Sequence, residues 1–447
     1  MSVIYETILV GDIGGTNSRL LLFQIRRDDP QLRRASKPGC QPPGLLLKTE
    51  RYLNQEYKGF LEVVTQFLHE ANLQKPPLTA CFAVAGPVKN NSVVFTNRAD
   101  WSMDGRRLVT ALGIASITLC NDFLAVGYGL LTLDEETECE VLQAAPKQPG
   151  APIVCIGAGT GLGECFLTST PTGSFGGAYG SYGNLSAAAA TPSSSSSSST
   201  SASALSASYN FQCFASEGGH ADFAPRGAEQ YVLLDFLKAN FDCQERVSVE
   251  RVVSGSGLAN IYDFLSSTYP DEQAAAVHEE VAAAGDLKGA AIAKHAAADS
   301  LCRRTMEIFV AAYGAEAGTM GLKFLPYGGL YLTGGLTPKN MHLLRDPAGP
   351  FLTAFRDKGR VSEMLAGIPV FAVKVEDLGE RGAHFVAFKE LQGMLVGLGG
   401  GREGSSSGKR RAALVRWLTS LVVPISTAYM VTVVAVTVVV IYRSSKK

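Results

Sequence analysis

The residues best suited to chemistry fall in a few short stretches. "GDIGGTNSR" (11–19) sets Asp12 at the end of an apolar run and follows it with Gly14, Gly15, Thr16 and Asn17. Glycines let a backbone approach an anion closely, and successive turned N–H groups form an anion-binding concavity. A carboxylate beside such a cradle suits Mg²⁺, a hard cation that keeps waters and takes one or two carboxylates. "GAGTGLG" (157–163) repeats the design without a carboxylate, through Gly157, Gly159, Thr160 and Gly161. Glycines this dense would be costly in a strand that merely packs. Together the two stretches predict a two-loop phosphate clamp. Neither fits G-x-x-x-x-G-K-[ST] or G-x-G-x-x-G, so the P-loop and dinucleotide fingerprints are excluded. A third stretch, "GGLYLTGGLTP" (328–338), turns at Gly334-Gly335 and is read either as a wrap around an adenosine or as a plain strand–turn–helix junction.

The acceptor side of a transfer needs a base and polar cradling groups. In "ITLCNDFLAVGYGL" (117–130) an apolar run stops at Asn121-Asp122 and another begins at once. Locally this is a helix N-cap, where Asn and Asp are both favoured. It is also a strand-to-helix junction, where α/β folds place their ligands. Asn121, Asp122, Glu217 and His220 of "EGGH", and Glu250 of "SVERVVSGSGL" supply the planar acceptors and amide donors that a sugar requires. Each has a structural reading as well: His220 as a satisfied structural histidine, Glu250 as a partner of Arg246 or Arg251.

These groups must be held by ordered elements, and the chain alternates strand-like and helix-like runs, which predicts an α/β fold. Strands are expected at Thr7–Ile13, Arg19–Ile25, Leu78–Ala85, Ser92–Thr96, Ile117–Cys120, Pro152–Gly157 and Glu164–Thr168. Helices are expected at Lys58–Asn72, Ser102–Leu112, Phe123–Leu131, Ala228–Asn240, Gly257–Ser266, Leu287–Leu322 (whole or broken) and Gly382–Leu395. Residues 8–23 and 152–167 look like variants of one unit, strand, glycine turn, strand, so two related half-folds should face one ligand.

At 447 residues the chain is ample for two lobes with real cores. Residues 171–208 are Gly, Ala and Ser around a serine run, Ser193–Ser199, and are read as a disordered insertion. Trp417–Tyr442 then runs without a charge, flanked by basic residues and bounded by aromatic ones, as expected of a transmembrane helix. From Lys409 onward seven residues are basic and none acidic, leaving 33 Lys+Arg against 41 Asp+Glu in the body, a charge of −8. An acidic body excludes nucleic acid as a partner, since phosphate contacts need a basic surface. Nine scattered cysteines without a C-x-x-C pair argue against a disulfide framework or a zinc site, and for a reducing compartment. The N-terminus has no signal-peptide pattern. The expected placement is therefore a body in the cytosol held by a C-terminal anchor; the basic tip "RSSKK" (443–447) leans toward a mitochondrial or plastid outer membrane.

Taken in order, GDIGGTN, AGPV (Ala85–Val88), Thr96-Asn97, NDF (Asn121–Phe123), GAGTGLG, EGGH-x-DFAP (Glu217–Pro225), ERV-x-SG-x-GL (Glu250–Leu258) and the late glycine pair resemble the bacterial-type glucokinases. These form part of the hexokinase branch of the actin-like ATPase superfamily, with its two-lobed, ribonuclease H-like fold. The resemblance spans about residues 5–395. It implies ATP and Mg²⁺ as cofactors, glucose or a closely related hexose as substrate, and transfer to the sugar 6-hydroxyl. Asp122 then matches the general base. Asn97, Asn121, Asp122, Glu217, His220 and Glu250 fall in the sugar cradle. Asp12 matches the Mg²⁺-positioning residue, and Gly14–Asn17, Gly157–Gly161 and Gly334-Gly335 fall on the nucleotide. The sibling repressor–ORF–kinase branch carries a zinc-binding cysteine cluster after its EGGH-like motif, and here only Cys243 lies nearby. Two other readings stay open: a membrane-tethered sugar sensor or scaffold with little turnover, and a kinase for glucosamine or mannose. A homodimer is left open. The expected division is a small lobe at 1–131 plus 374–397, a large lobe at 132–373, a basic linker at 398–416, the membrane span at 417–442 and the tip at 443–447.

Overall fold

A computed structural model describes residues 3–33, 39–95, 98–171, 209–243 and 245–399. The Ser-rich stretch beyond Pro171, Asn97, residues 400–416 of the linker, the apolar span 417–442 and the basic tip lie outside the described residues. Among those described, no helix is long and apolar enough to cross a membrane.

Thirteen strands are described: β1 Tyr5–Ile13, β2 Asn17–Arg26, β3 Leu45–Leu53, β4 Thr79–Val84, β5 Ser92–Phe95, β6 Arg98–Asp104, β7 Ser116–Asn121, β8 Cys139–Gln143, β9 Ile153–Ala158, β10 Leu162–Pro171, β11 Tyr209–Ser216, β12 Gly329–Thr333 and β13 Val370–Val373. They form two main sheets, β3-β2-β1-β4-β7 and β11-β10-β9-β12-β13-β8, with β5-β6 as a separate ribbon. Each main sheet holds an antiparallel three-strand meander, β1-β2-β3 or β9-β10-β11, extended by two parallel strands. The central strands β1, β4 and β9 are buried almost throughout and read as continuous apolar runs. The glycine-turn pattern that recurs in the sequence thus opens both meanders.

Helices cover the sheets because each has an apolar stripe to hide. Phe60–Ala71 buries Phe60, Val63, Val64 and Phe67, the i, i+3, i+4, i+7 set, against one face of the first sheet. Each such fully buried side chain stabilises by roughly 1.5–3 kcal/mol. The opposite face takes the closing helix Leu378–Gly399 through Ala383, Ala387, Phe388 and Leu391. The helices Gly227–Asn240, Gly255–Thr268 and Ser300–Phe324 share one large core with the second sheet. Between the sheets runs Asp122–Leu130, packed on the closing helix on one side and on β10 and β11 on the other. Its small residues allow this: a Cβ on Gly129 would stand 2.2 Å from Leu378 O, and one on Gly382 1.7 Å from Ala125 O.

One expected helix differs from the structure, and the run left open to a break is divided. The run expected at Ser102–Leu112 is strand up to Asp104, because those residues pair with β5, and helix only from Gly105. Asp104 caps that helix by accepting from Arg106 N and Arg107 N. The run Leu287–Leu322 divides into Lys288–His295 and Ser300–Phe324, where Asp299 caps the second piece through Cys302 N. All nine cysteines are free thiols.

Candidate active site

The seam at 121–122 settles into a specific division of labour. Asn121 ends β7 and is the cap: its Oδ1 accepts from Phe123 N (2.9 Å) and Leu124 N (3.1 Å), while its Nδ2 donates to Gly86 O (3.3 Å). Asp122 is the first helical residue, half-buried, its Oδ1 accepting from Phe123 N (2.9 Å). The helix start thus leaves most of the Asp122 carboxylate free for a ligand. Burial pushes its pKa up to about 6; the Phe123 N–H opposes this, and the negative fields of Asp12 and Glu217 add to it. At neutral pH the group is ionised yet far more basic than an ordinary aspartate.

Asp12 reaches the same region from β1, where it pairs with Arg19 across the first hairpin. Burial raises its pKa and Arg19 opposes the rise. Beyond it starts the closing helix: a Cβ on Gly379 would lie 3.7 Å from Asp12 Oδ2. In the same first turn, Glu380 accepts from Arg19 Nη1 at 2.6 Å, its pKa raised to about 7 by burial against the opposing field of Arg19. Among the described residues no group of three or more His, Cys, Asp or Glu could hold a metal alone. A lone Asp12 carboxylate fits Mg²⁺ that takes its remaining ligands from phosphates and water.

The two glycine hairpins are built differently. In the first, Gly14 N donates to Asn17 O (2.9 Å), and Asn54 braces the turn from behind. Asn54 is almost fully buried: its Nδ2 donates to Gly14 O (2.8 Å) and Gly15 O (3.2 Å), its Oδ1 accepts from Ser18 Oγ (2.7 Å), and its backbone N donates to Thr16 O (2.9 Å). In the second, Gly159 N donates to Gly161 O and Gly255 N to Gly159 O, both at 2.8 Å, which brings the start of helix Gly255–Thr268 against the turn. Gly157 and Gly163 face each other across β9 and β10 and present bare backbone to the Phe123 ring; a Cβ on Gly163 would stand 1.9 Å from that ring. Gly159, by contrast, has nothing within 4 Å of where a Cβ would project, so that side of the turn is open to a ligand. Thr160 sits beside it. Gly334 takes a left-handed φ of 80° and lies against Ala158 O, which brings the Gly334-Gly335 turn beside the second hairpin.

The remaining polar residues border the same space. Glu250 Oε2 accepts from Leu162 N at 2.8 Å, and its carboxylate fills the spot where a Gly161 Cβ would sit, 2.5 Å away. Glu217 and His220 are exposed, with Oε2 and Nε2 4.0 Å apart, and Arg246 Nη1 donates to His220 O (2.9 Å). Beneath the "EGGH" turn, fully buried Glu164 has its pKa pushed up to about 8, first by burial and then by Glu316, so it adds no charge at neutral pH. His220 is exposed rather than packed in a core, and Glu250 holds a backbone N–H rather than Arg246 or Arg251. Sequence reasoning missed Asn54, the Arg19–Glu380 pair and the role of Phe123. Their partners lie 40, 361 and about 40 residues away, and no local signal names them.

Comparison with known proteins follows from this geometry. A family model described as "Glucokinase" matches residues 9–193 and 201–390. The glucokinase of a Nostoc species is 39% identical over 391 residues, covering 85% of this chain and 98% of the relative. That of a Synechocystis species is 37% identical over 402 residues, covering 87% and 99%. Among solved structures, the glucokinase of an Antarctic psychrotroph superposes with a TM-score of 0.60 at 22% identity, covering 86% of this chain and 99% of that one. The glucokinase of Balamuthia mandrillaris in complex with glucose gives 0.62 at 19%, covering 86% and 94%. At these identities the two structures speak to the fold: a mixed α/β, two-lobed sugar-kinase architecture.

Proposed function

The chain belongs to the glucokinase family, and from that premise we propose how its residues divide the work of phosphorylating glucose with ATP and Mg²⁺. The observation that carries the assignment is Asp122 at the helix start, with its cap supplied by Asn121 and its pKa pushed up to about 6. Asp122 accepts the proton of the sugar 6-hydroxyl as that oxygen bonds the γ-phosphorus and the bond to the ADP leaving oxygen breaks. A base whose pKa lies near the working pH is the more effective for it. Asn121, Glu217, His220 and Glu250, with Asn97 outside the described residues, cradle the sugar hydroxyls. The hairpins Gly14–Asn17 and Gly157–Gly161 receive the phosphates on backbone N–H groups, and the Gly334-Gly335 turn borders the nucleoside. Asp12 holds Mg²⁺, which supplies charge neutralisation at the phosphates. Phosphoryl transfer asks for alignment and charge neutralisation more than covalent help, and this inventory matches that demand.

The two sheets, one at residues 5–121 and the other at 139–373, form lobes in the actin-like manner, and their closing on the sugar keeps water from the γ-phosphate. The test is glucose 6-phosphate formation by the full chain, with Asp122→Ala beside it. Near-wild-type turnover by that variant removes the general-base assignment. A panel of glucose, glucosamine and mannose fixes the hexose.

The tail extends the proposal. Residues 417–442 carry no charge, begin and end on aromatics, and have Arg416 and Arg443 just outside. In lipid such a span satisfies its backbone as a helix. On this reading the span holds the catalytic body at a membrane with that body in the cytosol, and the basic residues Arg443, Lys446 and Lys447 beyond it favour the outer membrane of a mitochondrion or plastid. Deleting residues 409–447 should move the protein from the membrane to the soluble fraction; an unchanged distribution overturns the anchor.

A further inference from the structure

Most exposed apolar side chains of the first sheet are gathered at one end, with Leu53 alone at the other end of β3. Val3 and Ile4 lead into β1, and Leu45, Leu46 and Leu47 open β3, all between 42% and 65% exposed. β2 joins them: Arg27 N donates to Ile4 O, Tyr5 pairs with Arg26, and Gln24 pairs with Leu45. Asp12 stands at the opposite end of β1, about 23 Å from Tyr5 at strand rise.

The closing helix runs between these two ends. It starts beside Asp12 at Gly379, and His384 then stacks on Phe23 with ring centroids 4.0 Å apart. Further along, Thr79 Oγ1 donates to Ala387 O, and Ser116 and Thr118 bond Glu390. Thr79 and Ser116 are the first residues of β4 and β7, so the helix has by then reached the end where the parallel strands begin. Gln392 Nε2 donates to Gln31 O, and seven more helical residues follow. The chain therefore leaves the fold at the apolar end. In the sequence, residues 400–416, which include Lys409, Arg410, Arg411 and Arg416, and then the uncharged span 417–442 follow.

We propose that the apolar end of the small lobe, Val3, Ile4 and Leu45–Leu47, rests on the lipid bilayer entered by the tail, so that the Asp12 and Asp122 end of the sheet opens away from the membrane. The proposal rests on the tail-anchor reading above. Five aliphatic side chains bind an interface weakly by themselves, since interfacial affinity scales with the apolar area buried. A tether raises their local concentration to the millimolar range, and a weak contact then becomes occupied. Arg26, Arg27 and Lys75 fringe the patch, engaged with Asp28 and Glu6, so the contact is chiefly apolar. β3 is also the edge of its sheet and thus a template for a second copy, but Lys48, Glu50 and Arg51 along it oppose edge pairing.

The test uses the full chain in phosphatidylcholine–phosphatidylserine vesicles, with Cys40→Ser and Cys243→Ser removing the accessible thiols. A fluorophore is placed at Leu46→Cys or, as a control near the first glycine hairpin, at Glu56→Cys. Flotation reads the anchor, and quenching by doxyl-labelled lipid reads the contact. The expected result is flotation with quenching at 46 at least about threefold stronger than at 56, because interfacial groups sit about 5–10 Å into the headgroup region. Flotation with equal quenching at both sites overturns the docking and leaves the anchor standing. Failure to float removes the anchor and the docking together. Energy transfer between labelled copies, without lipid quenching at 46, overturns the proposal in favour of edge pairing.

Discussion

The two glycine hairpins look alike in sequence and use their glycines for different reasons. In the first, the glycines bend a turn that a buried side chain, Asn54, holds from behind, and the strand beside it carries the carboxylate Asp12. In the second, Gly157 and Gly163 are bare because the Phe123 ring occupies their face, and the turn is held by backbone from Gly255. At the turn of the first hairpin, a Cβ on Gly14 would meet nothing nearer than 3.6 Å, so that face is open. The second hairpin spends half of its glycines on seating the helix that presents Asp122. A glycine-rich motif therefore does not by itself report phosphate contact; what lies above the missing Cβ decides it.

The largest expected effect lies at the helix between the hairpins. Asp122→Ala should lower kcat by about 10²–10⁴-fold, the range for a positioned general base, in a coupled glucose 6-phosphate assay. A small loss would mean that the hairpins alone carry the rate. The wild-type rate should also fall as pH drops through about 6, where Asp122 takes up its proton.

Next come the supports, which separate the hairpins. Asn54→Ala leaves the Gly14 and Gly15 carbonyls without their donor, a loss of about 1–3 kcal/mol when such groups are buried. Held mostly at the first turn, that loss should raise KM for ATP severalfold and leave KM for glucose unchanged. Asn54→Asp should not rescue it, since a carboxylate cannot donate to carbonyls. Equal rises in both KM values would erase the distinction. Gly163→Ala places a methyl against Phe123 and should cost about 1–3 kcal/mol by overpacking, read as a drop in Tm. Gly14→Ala, whose Cβ would lie 3.6 Å from its nearest neighbour, should leave Tm nearly unchanged.

The smallest effect is thermodynamic. The Asp122 pKa is raised on folding from 3.8 to about 6, so the folded state binds the proton more tightly in that window. The associated stability is fully present below about pH 4 and is lost as pH rises through about 6. Asp122→Asn removes that loss. Its Tm should exceed wild type above pH 6, and the gap should close near pH 4. A variant less stable than wild type at pH 7.5 would contradict the buried-carboxylate account.

Much of this was legible locally. Strand β1 with its glycine turn and β9 with its own are runs of neighbouring residues whose pattern follows from backbone chemistry alone; the cap was legible only as the pair Asn121-Asp122, and the helix it opens was expected one residue late, from Phe123. The edge strand β3 was not, because "LLLKTERYL" is exposed on both faces and shows no alternation. The helix expected from Ser102 failed for a related reason: pairing with β5 outweighs a helical period until Asp104 can cap.

By itself the sequence determined the residue types a sugar kinase needs and their order, since strand, turn and cap preferences act over a few residues. Only the tertiary structure decided which of them work together. Asn121 caps and so frees Asp122; Asn54 reaches back 40 residues to the first turn; Glu250 turns from nearby arginines to the N–H of Leu162. Burial, which raises Asp122 toward neutrality, is a property of two lobes meeting over one helix. No stretch of chain carries it alone.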